Sequence, residues 1–213
     1  MAESVRRVGL MGGTFDPIHN GHLVTAEEAR VQFHLDEVIF IPSGRPPHKN
    51  ERKVASAHHR LMMTLLATVT NPHFQVSQVE VDRPGYSYTY DTVSYFQDLY
   101  LGKAELYFIT GADAILEIIA WKDVEKLFEK CSFIAATRPG FDLSTLEHSG
   151  LPKMAKDKIF FMEIPALAIS STDVRERVKT GRPIKYLMPS AVATYIYKNH
   201  LYFNGNKKFE GLN

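Results

Sequence analysis

The 213-residue sequence holds one cysteine and no long apolar run, and each shortage excludes something. A single cysteine rules out an internal disulfide and any multi-thiolate metal site. Cys131 heads the apolar run Ser132-Phe133-Ile134-Ala135-Ala136, which predicts a buried, inert thiol rather than a nucleophile. No stretch approaches the roughly 18 apolar residues of a membrane span, and the opening Met-Ala-Glu-Ser-Val-Arg-Arg lacks the apolar core of a signal peptide. A cytoplasmic protein with no membrane contact is expected. The formal net charge of +1 leaves no broad basic excess for nucleic acid, so any bound anion must be met by local charge. Neither G-x-G-x-x-G nor the P-loop pattern G-x-x-x-x-G-K-[ST] occurs, which disfavours an NAD-dependent dehydrogenase and a P-loop hydrolase.

What is present is ordinary for a globular chain: 45% hydrophobic and 23% charged residues, in a length that buries roughly 70% of the unfolded surface as one domain. Residues 1–203 read as that domain, and residues 204–213, without periodicity, as a frayed tail. Short runs apolar on both faces recur: Val38-Ile39-Phe40-Ile41, Leu106-Tyr107-Phe108-Ile109, Phe133-Ile134-Ala135-Ala136 and Ile159-Phe160-Phe161-Met162. Such strands belong in a parallel sheet. Helical spacing lies between them, in Leu23, Ala26 and Phe33, in Leu61, Leu65 and Val69, and in Val192 with Ile196. The alternation predicts a doubly wound, mostly parallel α/β sheet with helices on both faces. Val79 and Val81 alternate with polar neighbours and predict a half-exposed strand near an edge.

Ligands of such sheets sit beyond the carboxyl ends of the strands, so the polar segments there carry the chemistry. After the run at residues 8–11 comes Gly12-Gly13-Thr14-Phe15-Asp16-Pro17-Ile18-His19-Asn20-Gly21-His22, which leads into helical spacing. Glycines admit a bulky anion, a helix start offers partial positive charge, and His19 and His22 share one face of the first turn. Phosphate chemistry is the reading this combination supports, against a plain strand-to-helix turn with exposed histidines. Downstream, Ile169-Ser170-Ser171-Thr172-Asp173-Val174-Arg175 gathers hydroxyls and N–H groups at another helix start, where an N-cap alone is the plainer alternative. A third segment, Pro42-Ser43-Gly44-Arg45-Pro46-Pro47-His48-Lys49, opens a basic run. It carries Arg45, Lys49, Arg52, Lys53 and Arg60 against one acid, Glu51, and its place after a buried strand favours phosphate binding.

These blocks carry a resemblance. G-G-T-F-D-P-x-H-x-G-H is similar to the H-x-G-H signature of the nucleotidyltransferase superfamily, and I-S-S-T-x-V-R resembles its second, phosphate-contacting motif. The P-P-H-K segment, Ser87-Tyr88-Thr89-Tyr90-Asp91-Thr92, Gly111-Ala112-Asp113 followed by Trp121, and Arg138-Pro139-Gly140 resemble segments of bacterial nicotinate mononucleotide adenylyltransferases. The resemblance spans about residues 5–203, with no departure at the motif positions. It implies a Rossmann-like nucleotidyltransferase fold and transfer of the adenylyl group of ATP to nicotinate mononucleotide. It further implies that Gly12, Gly13, Thr14, Phe15, His19, His22, Gly111, Asp113, Ile169, Ser170, Ser171, Thr172 and Arg175 bind ATP. Thr14, Lys49, Tyr88, Thr89 and Trp121 would hold nicotinate mononucleotide.

On this reading the substrate phosphate is itself the nucleophile, so no covalent intermediate is needed. His19, His22 and Lys49 are the expected catalytic residues, and Mg²⁺ is expected to arrive with ATP, since nothing here forms a carboxylate cage. A sister enzyme acting on nicotinamide mononucleotide or phosphopantetheine, and a non-catalytic nucleotide-binding regulator, are the rival readings. The sequence leaves a homo-oligomer open.

Overall fold

The apolar runs become strands of one sheet because each has two faces to bury. The computed structural model describes residues 5–46, 54–118, 121–137, 155, 157–165 and 167–203. Its strands are β1 (Arg6–Gly13), β2 (Glu37–Pro42), β3 (Phe74–Val76), β4 (Ala104–Gly111), β5 (Ser132–Thr137) and β6 (Ile159–Glu163). They lie in the order β3-β2-β1-β4-β5-β6, every neighbouring pair parallel. Alternate residues of one strand serve different cores: Val38 and Phe40 of β2 join one cluster, Ile39 and Ile41 the other.

Helices cover both faces, as the alternation predicts. On the first face α1 (Asn20–Gln32) and α2 (Ala57–Thr68) contribute Ala26 and Met63. A four-residue turn, α3 (Val79–Asp82), precedes α4 (Thr89–Leu99), which with α5 (Ala112–Leu116) and α6 (Val124–Lys130) covers the second face through Val93, Ile115 and Leu127. The chain then returns to the first face, where α7 (Ser171–Thr180) and α8 (Ser190–Lys198) bury Val174 and Ile196. Cys131 is buried, and burial pushes its thiol up to about 12, the inert state expected. Among the described residues no helix is long and apolar enough to cross a membrane.

Two local expectations are corrected. Val79 and Val81 form the helical turn α3, and the edge strand is Phe74–Val76. The turn closes because the Asp82 N–H reaches the Gln78 carbonyl (3.0 Å) while the polar residue between the valines, Glu80, turns inward to accept the Thr92 hydroxyl (2.6 Å). In α2 the helix forms, but Leu65 and Val69 are 43% and 76% exposed, and the buried stripe is Arg60, Met63, Thr64, Ala67 and Thr68. Polar residues can hold that stripe because they are satisfied there: Thr64 and Thr68 donate to carbonyls one turn back (2.8 and 2.9 Å), and Arg60 to three others.

Candidate active site

Strand order reverses between β1 and β4, which pair directly although 90 residues of chain separate them, as in Leu10 against Phe108. At such a switch point the connections leave to opposite sides and open a crevice at the carboxyl edge. A cavity of about 370 Å³ lies there, lined by His19, Gly21, His22, Gly111, Asp113 and Ile169 among others. These six residues, from the first block, the junction of β4 with the next helix and the second block, therefore meet at one place, with Thr110, Thr137 and Ile164 also in the wall.

The loop from Thr14 to Ile18 is anchored on every side. Phe15 adopts φ of 48°, a left-handed conformation that an L side chain occupies only when its surroundings fix it. Its ring is buried, edge-on to His22 (5.1 Å between centroids) and beside Phe40 (5.9 Å). The Gly13 carbonyl accepts the Ser43 N–H (2.8 Å) and the Thr14 carbonyl accepts Arg60 (2.7 Å). Buried Asp16 takes the Tyr202 hydroxyl (2.7 Å) and the Ala55 N–H (3.2 Å) on Oδ1, with the Arg175 guanidinium 3.8 Å from Oδ2.

The second block is brought to the first, but by contacts that its sequence does not reveal. Ser170 caps α7 through the Asp173 N–H (3.1 Å). The Ser171 hydroxyl donates to the Pro17 carbonyl (2.8 Å), while Arg175 donates to the Asp16 carbonyl (2.7 Å) and to the Thr172 hydroxyl (3.2 Å). These side chains brace the loop, and α7 turns its N-terminus, with its partial positive charge, toward the same edge.

The imidazoles are placed by α1. His19 is its N-cap and His22 the third residue of its first turn, so the rings stack at 3.8 Å and 29°. His22 Nδ1 accepts the His19 N–H (3.2 Å), which leaves the neutral ring's proton on Nε2. His19 is 6% exposed, its Nδ1 has no partner among the described residues, and burial lowers its pKa to about 4. A side chain at Gly21 would meet that ring at 3.0 Å, so the glycine gives the imidazole its room.

A pH dependence follows. Unfolded His19 protonates near 6.5 and folded His19 near 4, so the unfolded state binds the extra proton between those values and stability falls as the pH drops through them. By pH 5 the loss is about 2 kcal/mol. Urea midpoints at pH 7.5 and 5 should show a smaller acid loss in His19→Asn than in the wild type; equal losses would contradict a buried neutral ring.

Tyr88, Thr89 and Trp121 do not line the cavity. Tyr88 is the N-cap of α4 without a side-chain cap bond, and Thr89, not the cap, is the first helical residue. The Lys122 ammonium lies 4.9 Å above the Tyr88 ring and 3.1 Å from Asp91. Trp121 is half-buried, edge-on to Phe108 and Phe133 (6.0 and 6.4 Å), so its ring rests on the second core rather than lying wholly within it. Lys49 and the segment Arg138-Pro139-Gly140 lie outside the described residues. Among the described residues no group of three or more His, Cys, Asp or Glu could hold a metal ion.

Sequence reasoning missed three anchoring residues. Asp16 reads as a turn former, Tyr202 carries no motif, and Arg60 reads as one more member of a basic run suited to phosphate. Only Arg60 left a signal, its helical register with Met63 and Ala67.

The family model of cytidylyltransferase-like proteins matches residues 10–177. A protein of Moorella thermoacetica named "Probable nicotinate-nucleotide adenylyltransferase" is 61% identical over 198 residues, covering 92% of this chain and 91% of that protein. One of a Thermoanaerobacter species is 56% identical over 198 residues, covering 92% and 94%. Among solved structures, Plasmodium falciparum nicotinic acid mononucleotide adenylyltransferase complexed with NaAD matches with a TM-score of 0.75 over 92% of this chain and 97% of that one, at 23% identity, and so shares the fold. With the signature loop, the bracing second block and identity of this order over nine-tenths of its length, the chain belongs to the nicotinate-nucleotide adenylyltransferases within the cytidylyltransferase-like family.

Proposed function

We propose that the protein transfers the adenylyl group of ATP to nicotinate mononucleotide, giving nicotinate adenine dinucleotide and pyrophosphate in NAD biosynthesis. The observation that carries the reading is the stacked imidazole pair walled into the switch-point cavity beside the α7 N-terminus. A phosphate oxygen of the mononucleotide attacks the α-phosphorus of ATP, and the bond from that phosphorus to the bridging oxygen of the leaving pyrophosphate breaks. Both reactants are anions. Each pair of unit charges about 4 Å apart costs roughly 4 kcal/mol at an effective dielectric near 20, so the site must supply opposing charge and donors.

His22 supplies an Nε2 proton directed by its Nδ1 bond, and neutral His19 packs beneath it. Gly12, Gly13, Thr14 and Phe15 shape the loop. Gly111 and Asp113 serve the adenosine side, while Ile169, Ser170, Ser171, Thr172 and Arg175 present and brace the α7 start. Tyr88, Thr89 and Trp121, with Thr14 and Lys49, take the acceptor, and Lys49 joins the two imidazoles in catalysis. The divalent cation, which we propose is Mg²⁺, is part of the ATP substrate. Imidazole, hydroxyl and N–H donors around the cavity suit phosphate oxygens. We read residues 1–203 as one domain working in the cytoplasm.

Pyrophosphate release from ATP with nicotinate mononucleotide, nicotinamide mononucleotide or phosphopantetheine tests the reading. Nicotinate mononucleotide is expected to be used at least about tenfold faster, the discrimination that mispaired carboxylate donors give. Equal rates with both pyridine nucleotides would remove the nicotinate preference, and no release with any acceptor would remove the activity.

A further inference from the structure

Arg60 is 1% exposed, yet among the described residues its guanidinium touches no carboxylate. Its three hydrogen bonds among the described residues go to main-chain oxygens: Nε to Ala55 (3.0 Å), one terminal nitrogen to Thr14 (2.7 Å) and the other to Gly44 (3.0 Å). Asp16 and Glu80 act on it only through their charge. A buried cation is an expensive way to fill space, and an apolar side chain would do that at least as well. What a planar fork of donors does better is hold several acceptors in fixed relation.

Those acceptors come from separate segments. Thr14 belongs to the loop after β1, Gly44 follows β2, and Ala55 precedes α2. Gly44 is also gripped from its other side. Its N–H and that of Arg45 both donate to Ser87 Oγ (3.0 and 3.3 Å), and the Ser87 N–H returns to the Arg45 carbonyl (2.9 Å). A Cβ on Gly44 would collide with the Glu80 carbonyl oxygen, so the strip has one place to lie. Ser87 immediately precedes Tyr88 and Thr89.

We propose that Arg60 is a positioning residue for the transfer reaction: through Gly44, Arg45 and Ser87 it sets the acceptor segment at Tyr88 and Thr89 in register with the phosphate loop at Thr14, touching neither substrate. This rests on the reading of the site as one that joins two nucleotides. The chemistry gives such register its weight. The attacking oxygen and the α-phosphorus must come to about 3–3.5 Å in line, and a misplacement of about 1 Å can cost on the order of 100-fold.

The test compares the wild type, Arg60→Lys, Arg60→Met and Ser87→Ala, each shown folded by circular dichroism at the assay temperature. Lysine keeps the charge but cannot span three carbonyls. Both Arg60 variants should lose about 10- to 100-fold in kcat/KM for the mononucleotide. Affinity for a non-hydrolysable ATP analogue, measured without acceptor, should stay within about threefold, because of the residues bonded to Arg60 only Thr14 belongs to the phosphate loop, and the Gly13, Asp16 and Pro17 carbonyls around it keep their own bonds to Ser43, Arg175 and Ser171. Ser87→Ala, which breaks the same route on its far side, should show the same split at about tenfold. A folded Arg60→Lys with unchanged mononucleotide kinetics, or one losing ATP affinity in parallel, would overturn the proposal. If neither Arg60 variant folds, unchanged mononucleotide kinetics in Ser87→Ala would overturn it. Should the wild type prefer a different acceptor, the nicotinate assignment fails while the comparison is made with that acceptor, so the two failures are distinguishable.

Discussion

His22→Ala is expected to turn over about 10²- to 10⁴-fold more slowly than the wild type while remaining folded, the loss typical of a group that stabilises charge or donates a proton at the reacting centre. The size follows from how its proton is aimed. His22 Nδ1 is committed to the His19 N–H, so the neutral imidazole carries its proton on Nε2 and the ring is held by stacking on His19 at 3.8 Å and by the Phe15 edge at 5.1 Å. A side chain oriented by three contacts loses little entropy when it reacts. Truncation removes the acceptor of the His19 N–H at a helix start, worth about 1 kcal/mol, so the fold should survive. Steady-state pyrophosphate release by a variant with native circular dichroism is the measurement; turnover within tenfold of the wild type would show that His22 is not catalytic.

Asp16→Ala is expected to lower the unfolding free energy by about 3 kcal/mol, among the largest effects a single substitution outside the cores can have here. The carboxylate is buried and does three things at once: it accepts the Tyr202 hydroxyl, accepts the Ala55 N–H, and faces the Arg175 guanidinium. Without it two donors lose their partner and Arg60 and Arg175 lose a charge that opposes theirs. Asp16→Asn keeps an acceptor but not the charge and should lose about half as much, while Tyr202→Phe removes one donor and should lose about 1 kcal/mol. Urea denaturation at pH 7.5 orders the three. An Asp16→Ala loss below 1 kcal/mol would mean that the loop is held by Arg60, Ser43 and Ser171 without its carboxylate.

The contrast between what sequence reading captured and what it missed has a physical basis. Strands such as Val38-Ile39-Phe40-Ile41 announce themselves because a sheet covered on both sides needs apolar residues at every position. The loop from Gly12 to His22 is legible for the same local reason, since glycines, an N-cap and a helix start within a dozen residues specify their own geometry. The register of α2 is not local. Leu61, Leu65 and Val69 make the more apolar stripe, but Arg60 turns inward because three carbonyls, one of them 46 residues away at Thr14, satisfy its guanidinium. Val79 and Val81 mislead likewise: Glu80 between them is buried because Thr92 arrives from α4 to donate to it. Patterns of hydrophobicity assume that polar groups stay in water, and they fail where distant backbone or hydroxyl groups take water's place.

The bond from Tyr202 to Asp16 closes a loop of 186 residues. During synthesis the phosphate loop and both histidines leave the ribosome long before Tyr202, one of the residues that anchor the loop. A nascent chain can therefore hold nearly complete secondary structure while its reactive loop still lacks an anchor. Contacts of such long sequence separation form late and slow folding. Competence to bring two anionic nucleotides together is accordingly among the last properties this chain acquires as it is made.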